Sequence, residues 1–424
     1  MRIVDHAGSD LTNTGRHEST KSRKRIVGGL LGGSRRSFAT LNTCRPGLLA
    51  AVVAALGLAA LLAPLTEAHK AITSPYNFND HVFPVVRDRC GRCHFEGGPT
   101  PMSLLSYMDA LPWAESMREQ LVGERMPAWY ADPTGPLVKG GHPLSPRELD
   151  IIVTWATGGT PQGDLARKPP TVPAPPQWRS GKPDLVVPMA EEYTVPASAM
   201  EDSHEFTIAT GLTDTRWIKA VDLLPGALSM VREATVRVEN GPVLAAWVPG
   251  YEAIAAPSGA AFRLAPGAKL TLSMRYRKHY LDEQNAVKDR TSVGLYFTDE
   301  PVSGKSIESF AIDGKVGDEA TSDAQTFGGS LATSGRVLAL RPLVDQTYSA
   351  IDVHAVLANG RKVPLLLLRA QRPEWPRRYW LAEPIELPKG AKIEAVARPA
   401  QVSPDDIPSP RRNKLQIALD YVAQ

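Results

Sequence analysis

From Asp184 onward the apolar residues of this chain recur at every second position, in short runs cut by Gly and Pro. "ATVRVEN", "KLTLSMRY", "TSVGLYF", "KVPLLLLRA" and "AKIEAVAR" alternate or run apolar between such turns. A period of two sends successive side chains to opposite faces of a strand, so the pattern predicts sheets rather than helices. The 37 prolines and 34 glycines of the 424 residues suit short strands and many turns. Two β-sandwich or jelly-roll units, 184–300 and 301–424, fit the length, with a break near Glu300–Ser306.

Upstream the composition changes twice. Residues 161–183, "PQGDLARKPPTVPAPPQWRSGKP", hold seven prolines and little apolar content, which predicts an extended, semi-rigid linker. Ahead of it, 69–160 reads as a small helical domain. "YNFNDHVFPVVRDRC" places Phe78, Val82, Val85 and Val86 at helical spacing. "SPRELDIIVTWATGG" carries the start signals of a helix: Ser145 as N-cap, Pro146 in the first turn and Glu148 closing a capping box. It ends at Gly158-Gly159. Ile151, Ile152 and Trp155 are expected to face the core or a bound group.

This segment contains "RDRCGRCHFEGGPTPM", with two of the chain's three cysteines. Cys90, Cys93 and His94 form a Cys-x-x-Cys-His unit, the pattern of covalent c-type haem attachment. Two thiols on one helical turn reach the two vinyl groups, and the adjacent His offers a ring nitrogen to iron. A thioredoxin-like redox motif would need a βαβ context, and none is visible. A zinc site would need two further Cys or His ligands, and the nearest later histidine is His142. For the sixth iron position Met126 in "GERMPAWY" is favoured, because Met-Pro presents its side chain from a non-helical backbone. Met102 is the short-loop alternative. Met108 and Met117 lie in helix-like stretches where packing is the expected role. Arg87, Arg89, Arg92 and Arg125 are either solvated surface or a rim that meets haem propionates or an acidic redox partner.

The first 68 residues form a leader. Residues 1–46 are polar and basic, Gly47–Leu65 is an uncharged apolar run, and "TEA" at 66–68 supplies small residues for cleavage. This order predicts a signal peptide, with an uncleaved N-terminal anchor and membrane association as the alternative. "SRRSFAT" resembles a twin-arginine signal. The expected location is periplasmic or exported. Cys44 lies in the leader, so no structural disulfide is expected in the mature chain. A net charge of +3 is too small to argue for nucleic acid.

Together, "CGRCH", "PMSLLSYMDALPWAESMREQLVGERMPAW" and "LSPRELDIIVTWATGGTPQGD" resemble the cytochrome domain found ahead of bacterial copper type II, ascorbate-dependent monooxygenase-like domains. "RWIKAVDLLPGALSMV", "AWVPGYEA", "LAPGAKLTLSMRY", "DRTSVGLYF" and "RRYWLAEPIELPKGAKI" are similar to the peptidylglycine α-hydroxylating monooxygenase fold. The resemblance implies a multidomain protein: a small all-α cytochrome c domain followed by two all-β jelly-roll domains, each with one copper. The copper ligands are missing. Arg232-Glu233 and Arg275 stand where the first site's histidines are expected, and Leu343 and Asp345 where the second's are. After residue 183 only His204, His279 and His354 occur, and no Met follows Met274. Arg carries a permanent charge and cannot replace imidazole on copper(II). Copper is therefore not expected, and Arg232, Glu233 and Arg275 are expected to form an ion-pair cluster instead. The expectation is an exported electron-transfer cytochrome with one haem c and an unidentified redox partner. Its β region would be a catalytically degenerate docking scaffold. The alternatives are a copper monooxygenase with a built-in haem donor and a haem-containing binding or assembly module.

Overall fold

The computed structural model describes residues 73–301, 303–316, 323–401 and 412–424. The expected leader lies outside them. Among the described residues no helix is long and apolar enough to cross a membrane.

The first ten strands are β1 (Leu185–Pro188), β2 (Tyr193–Val195), β3 (Glu201–Ala209), β4 (Arg216–Leu224), β5 (Val231–Val238), β6 (Val243–Trp247), β7 (Phe262–Leu264), β8 (Lys269–Arg277), β9 (Val287–Asp289) and β10 (Ser292–Thr298). They form sheets of order β1-β10-β4-β7, β3-β8-β5-β6 and β2-β9. The next eight are β11 (Glu308–Asp313), β12 (Gln325–Ser330), β13 (Gly335–Leu343), β14 (Tyr348–Val356), β15 (Lys362–Gln371), β16 (Tyr379–Leu387), β17 (Lys392–Pro399) and β18 (Gln416–Ala423). Their sheets run β11-β18-β13-β16 and β12-β17-β14-β15. On several strands the inward face is the apolar half of the alternation, whereas β6 is buried at every position. On β8, Leu270, Leu272, Met274 and Tyr276 are buried, and Arg275 and Arg277 point the other way.

The expected all-α cytochrome domain followed by two jelly-roll domains is not what the chain forms. The described residues are predominantly β, in five sheets with only short helical pieces, and 71–424 is one compact unit. The helical pieces are a run of π and α turns over Phe78–Cys90, a turn at Tyr107–Ala110, and helices Ala114–Val122 and Pro146–Thr157. They bury Phe78, Val82, Met117, Ile151, Ile152 and Trp155 against one another. The capping box at Ser145 and Glu148 is present.

The segment does not close on itself, and the reason is the stretch that joins its last two helices. Asp132 N–H donates to Leu367 O, and Arg369 N–H to Tyr130 O; both Leu367 and Arg369 are on β15. Lys139 N–H donates to Trp380 O, and Ala382 N–H to Leu137 O; both partners are on β16. β15 and β16 are edge strands of two different sheets, and an edge presents a row of unpaired backbone groups. Residues 130–139 pair with both edges, and Tyr130 is buried in the core beneath them. The Pro-rich stretch is also fastened. Pro161 and Gln162 carbonyls accept from Phe78 and Asn79. Val172 packs on the helices, and Tyr296 donates from its hydroxyl to Gly181 O at 2.7 Å.

The two sets of strands share buried side chains. Leu338, Ala339, Trp380 and Val422 belong to the core of the first set. Arg378 is the polar link. Its Nε donates to Asp420 Oδ2 at 2.8 Å, its Nη2 to Val243 O at 2.6 Å, and its Nη1 to Leu244 O. The rings of Phe262 and Trp380 lie 5.3 and 5.2 Å away. Asp420 is wholly buried and also accepts from Arg341 at 2.9 Å and Ser309 at 2.5 Å. Burial alone would push its carboxyl up. The charges of Arg378 and Arg341, with the hydrogen bonds from Arg341 and Ser309, outweigh burial and hold it below the usual carboxylate value. The folded chain therefore binds this proton more weakly than the unfolded chain. The stabilisation is complete above pH ~4 and is lost as pH falls through the lowered folded value. Asp420→Ala strands the Arg378 charge and is expected to cost about 3–5 kcal/mol in a denaturant titration. Asp420→Asn is expected to flatten the acid limb of the stability profile; an unchanged acid limb would show that the pair is not what titrates.

Candidate functional site: a basic cavity around Cys90, Cys93 and His94

A cavity of about 460 Å³ opens where the helical segment meets both sets of strands. The volume falls in the range of cofactor and small-ligand sites. Cys90, Cys93, His94 and Met126 all line it. The local backbone explains how the first three are presented. A π turn ends at Cys90, and the Cys93 and His94 amides both donate to Cys90 O at 3.0 Å, so the two thiols sit one turn apart. Both cysteines are unpaired. Burial pushes the Cys90 thiol up to about 12, aided by Cys93 beside it, and pushes the Cys93 thiol up as well. Thiols raised in this way are protonated at neutral pH.

Burial lowers the pKa of His94, and a hydrogen bond with the Met102 backbone only partly counters it. Its Nδ1 is buried with no hydrogen-bond partner. The ring is thus held neutral with an unused nitrogen, the state in which imidazole binds a metal. Among the described residues no group of three or more His, Cys, Asp or Glu side chains gathers tightly enough to hold a bare metal ion.

The fold separates the methionines. Met126 faces the cavity. Met102 packs on the helical cluster and is not part of the cavity wall. Met117 is in that cluster and Met108 is 72% exposed. Ile151, Ile152 and Trp155 lie in the helical core rather than the cavity.

Ten of the lining side chains are Arg or Lys and two, Glu252 and Glu374, are acidic, so the cavity favours an anionic occupant. Arg89, Arg92 and Arg125 are in the wall. Arg89 pairs with Glu148 at 2.9 Å and Arg92 with Glu252 at 2.8 Å. Arg87 is outside, paired with Asp88. The expected ion-pair cluster of Arg232, Glu233 and Arg275 does not form. Glu233 takes both guanidinium arms of Arg412, at 3.0 and 2.5 Å, and Arg275 reaches Glu201 at 3.2 Å. Arg232 instead crosses to the loop after His94 and donates to Pro99 O at 2.7 Å. The cause is a β-bulge: β5 pairs with β8 through Val231–Tyr276 and then Glu233–Arg275, leaving Arg232 as the extra residue. Of the histidines after residue 183, His204 stacks on Tyr193 and His279 caps a turn. His354 lies on β14 near Glu394.

Sequence reasoning missed the part of the wall supplied from far along the chain. His142 lines the cavity with its Nε2 buried and unpartnered. Gly250, Tyr251, Trp375 and Arg377 also line it. Gly250 has φ +76°, and a Cβ there would come within 2.5 Å of Cys93 Sγ. Its absence of side chain lets the first set of strands touch the motif sulfur. Gly250→Ala is expected to destabilise by more than about 1 kcal/mol, from the positive φ and the clash together. In a Cys93→Ala background the clash disappears, so the cost should fall. Additive costs in this double-mutant cycle, read by denaturant unfolding, would refute the contact.

No known family model matches this chain, and no curated protein matches it. Among solved structures, the major capsid protein P2 of bacteriophage PM2 is 9% identical at a TM-score of 0.27, covering 56% of this chain and 96% of the capsid protein. A Paenibacillus xanthan lyase is 10% identical at 0.16, covering 60% of this chain and 27% of the lyase. Oxalate decarboxylase OxdC of Bacillus subtilis is 7% identical at 0.14, covering 67% and 85%. Likeness at these TM-scores carries no argument about fold or function.

Proposed function

We propose that this protein is an exported c-type electron carrier, with one haem held covalently in the cavity between the helical segment and the strands. The observation that carries the reading is that Cys90, Cys93, His94 and Met126 converge on one cavity of about 460 Å³. Each protonated thiol would add across a vinyl group, sulfur to one carbon and its proton to the other, so no oxidant is consumed. The unused nitrogen of neutral His94 is available to iron. Met126 is the thioether that lines the same cavity, and His/Met ligation favours a high reduction potential. When bound, the haem supplies a one-electron couple, taking an electron from a donor and passing it to an acceptor. The chain's own residues set the environment: Trp129, Ile254 and Trp375 give apolar walls, and the arginine surplus favours the reduced, less positive state.

This reading differs from a freestanding cytochrome domain carried on a scaffold. The strands here supply part of the cavity wall, so they belong to the site. Protein exported from a host that matures c-type cytochromes should show a c-type reduced spectrum and keep its haem on a denaturing gel. Cys90→Ser and Cys93→Ser together should abolish the covalent haem. Met126→Ala should lower the potential and remove the charge-transfer band of sulfur-ligated ferric haem, with Met102→Ala leaving both in place. A purified protein without covalent haem, or one carrying two coppers with ascorbate-dependent turnover, would overturn the reading.

A further inference from the structure

Most cavity arginines already have carboxylate partners: Glu148 for Arg89, Glu252 for Arg92, Glu201 for Arg275 and Arg277, and Asp420 for Arg378. Arg232 and Arg377 differ. Among the described residues neither has a carboxylate within ion-pair distance. Each instead donates from one arm to a backbone carbonyl of the motif-bearing segment, Arg232 to Pro99 O at 2.7 Å and Arg377 to Ala128 O at 3.1 Å. They come from different sets of strands, Arg232 from the bulge in β5 and Arg377 from the loop before β16. Arg377 lies 5.4 Å over the Trp129 ring, and its Nε is buried with no hydrogen-bond partner. A guanidinium taken out of water without a counter-charge is costly, and its fork is shaped for a carboxylate.

We propose that Arg232 and Arg377 hold the two propionate carboxylates of the haem, so that each set of strands grips the cofactor by one charged bond. This rests on the haem reading above and assigns the β region a binding role in it. The anchoring of one arm of each arginine on a carbonyl fixes the fork and leaves other N–H donors for the incoming carboxylate. The sequence position of Arg232, where the resemblance expects a copper ligand, is then occupied by a residue that serves the haem.

The test uses the full-length haem-loaded protein and its Arg232→Gln, Arg377→Gln and double variants, with Arg232→Lys and Arg377→Lys keeping the charge if the Gln forms do not fold. Arg216→Gln, an arginine outside the cavity, is the control. Removing a cation beside a propionate should move the equilibrium with a fixed-potential mediator several-fold toward ferric haem, further in the double variant. It should also shift the propionate bending bands in the resonance Raman spectrum. The Lys forms should restore the equilibrium in part while the bands stay shifted, since a point charge replaces the fork. Inorganic phosphate or succinate added to the wild type should change neither readout. Intact covalent haem with unchanged potential and bands in the cavity variants would overturn the proposal and leave the haem reading standing. A phosphate- or succinate-dependent shift would also overturn it, by showing the arginines free for another anion. Absence of covalent haem from the wild type would overturn both, and is seen before any variant is made.

Discussion

The burial of Arg378 against Asp420 is the constraint around which the two sets of strands are arranged. One guanidinium is shared between a carboxylate on the last strand and two carbonyls on β6, with the rings of Phe262 and Trp380 nearby. A buried pair of this kind adds little net stability over an apolar substitute, and its value lies in geometry. In this arrangement of β6, β18 and the loop before β16, three nitrogens of the guanidinium each have a partner. Arg378 is also in the cavity wall, so the same interaction that registers the strands fixes the floor on which the site is built.

The cavity has a consistent construction. Backbone carbonyls of the Cys-x-x-Cys-His segment are held by arginines from later in the chain: Arg92 O by Arg179, Pro99 O by Arg232 and Ala128 O by Arg377. These hydrogen bonds hold the earlier segment's backbone in place. The motif supplies the reactive sulfur and nitrogen, and the strands with their loops supply most of the arginines and part of the enclosure.

Local signals were legible and distant ones were not. Alternation in "KLTLSMRY" specified β8, because strand periodicity is written in adjacent residues. Ser145, Pro146 and Glu148 specified the start of a helix for the same reason. Cys90, Cys93 and His94 were visible as a unit, since their chemistry depends on spacing along one turn. What failed was the inference from local pattern to separate domains. Residues 130–139 add to two sheet edges through isolated pairs rather than a run of alternating residues, so nothing in "YADPTGPLVK" announced that the helices would be sewn to the strands. Arg232 looked like a vacated metal position because a one-residue bulge, which decides where its side chain points, leaves no mark in a single sequence. Met126 was favoured over Met102 on the Met-Pro pair alone, whereas the placing of Met126 and not Met102 on the cavity wall is a property of the fold.

The close approach of Gly250 to Cys93 has a consequence for the order of events in the life of the chain. Gly250 and Arg377 follow the motif by more than a hundred residues and are synthesised long after it. In the finished protein Gly250 sits against one of the two sulfurs, and the thiols face inward. Any machinery that joins a group to Cys90 and Cys93 therefore has its best access during the interval when the motif has emerged and the strands have not. On the haem reading, installation and closure would be successive steps, and a delay in the first would leave the second to shut the door on an unmodified site.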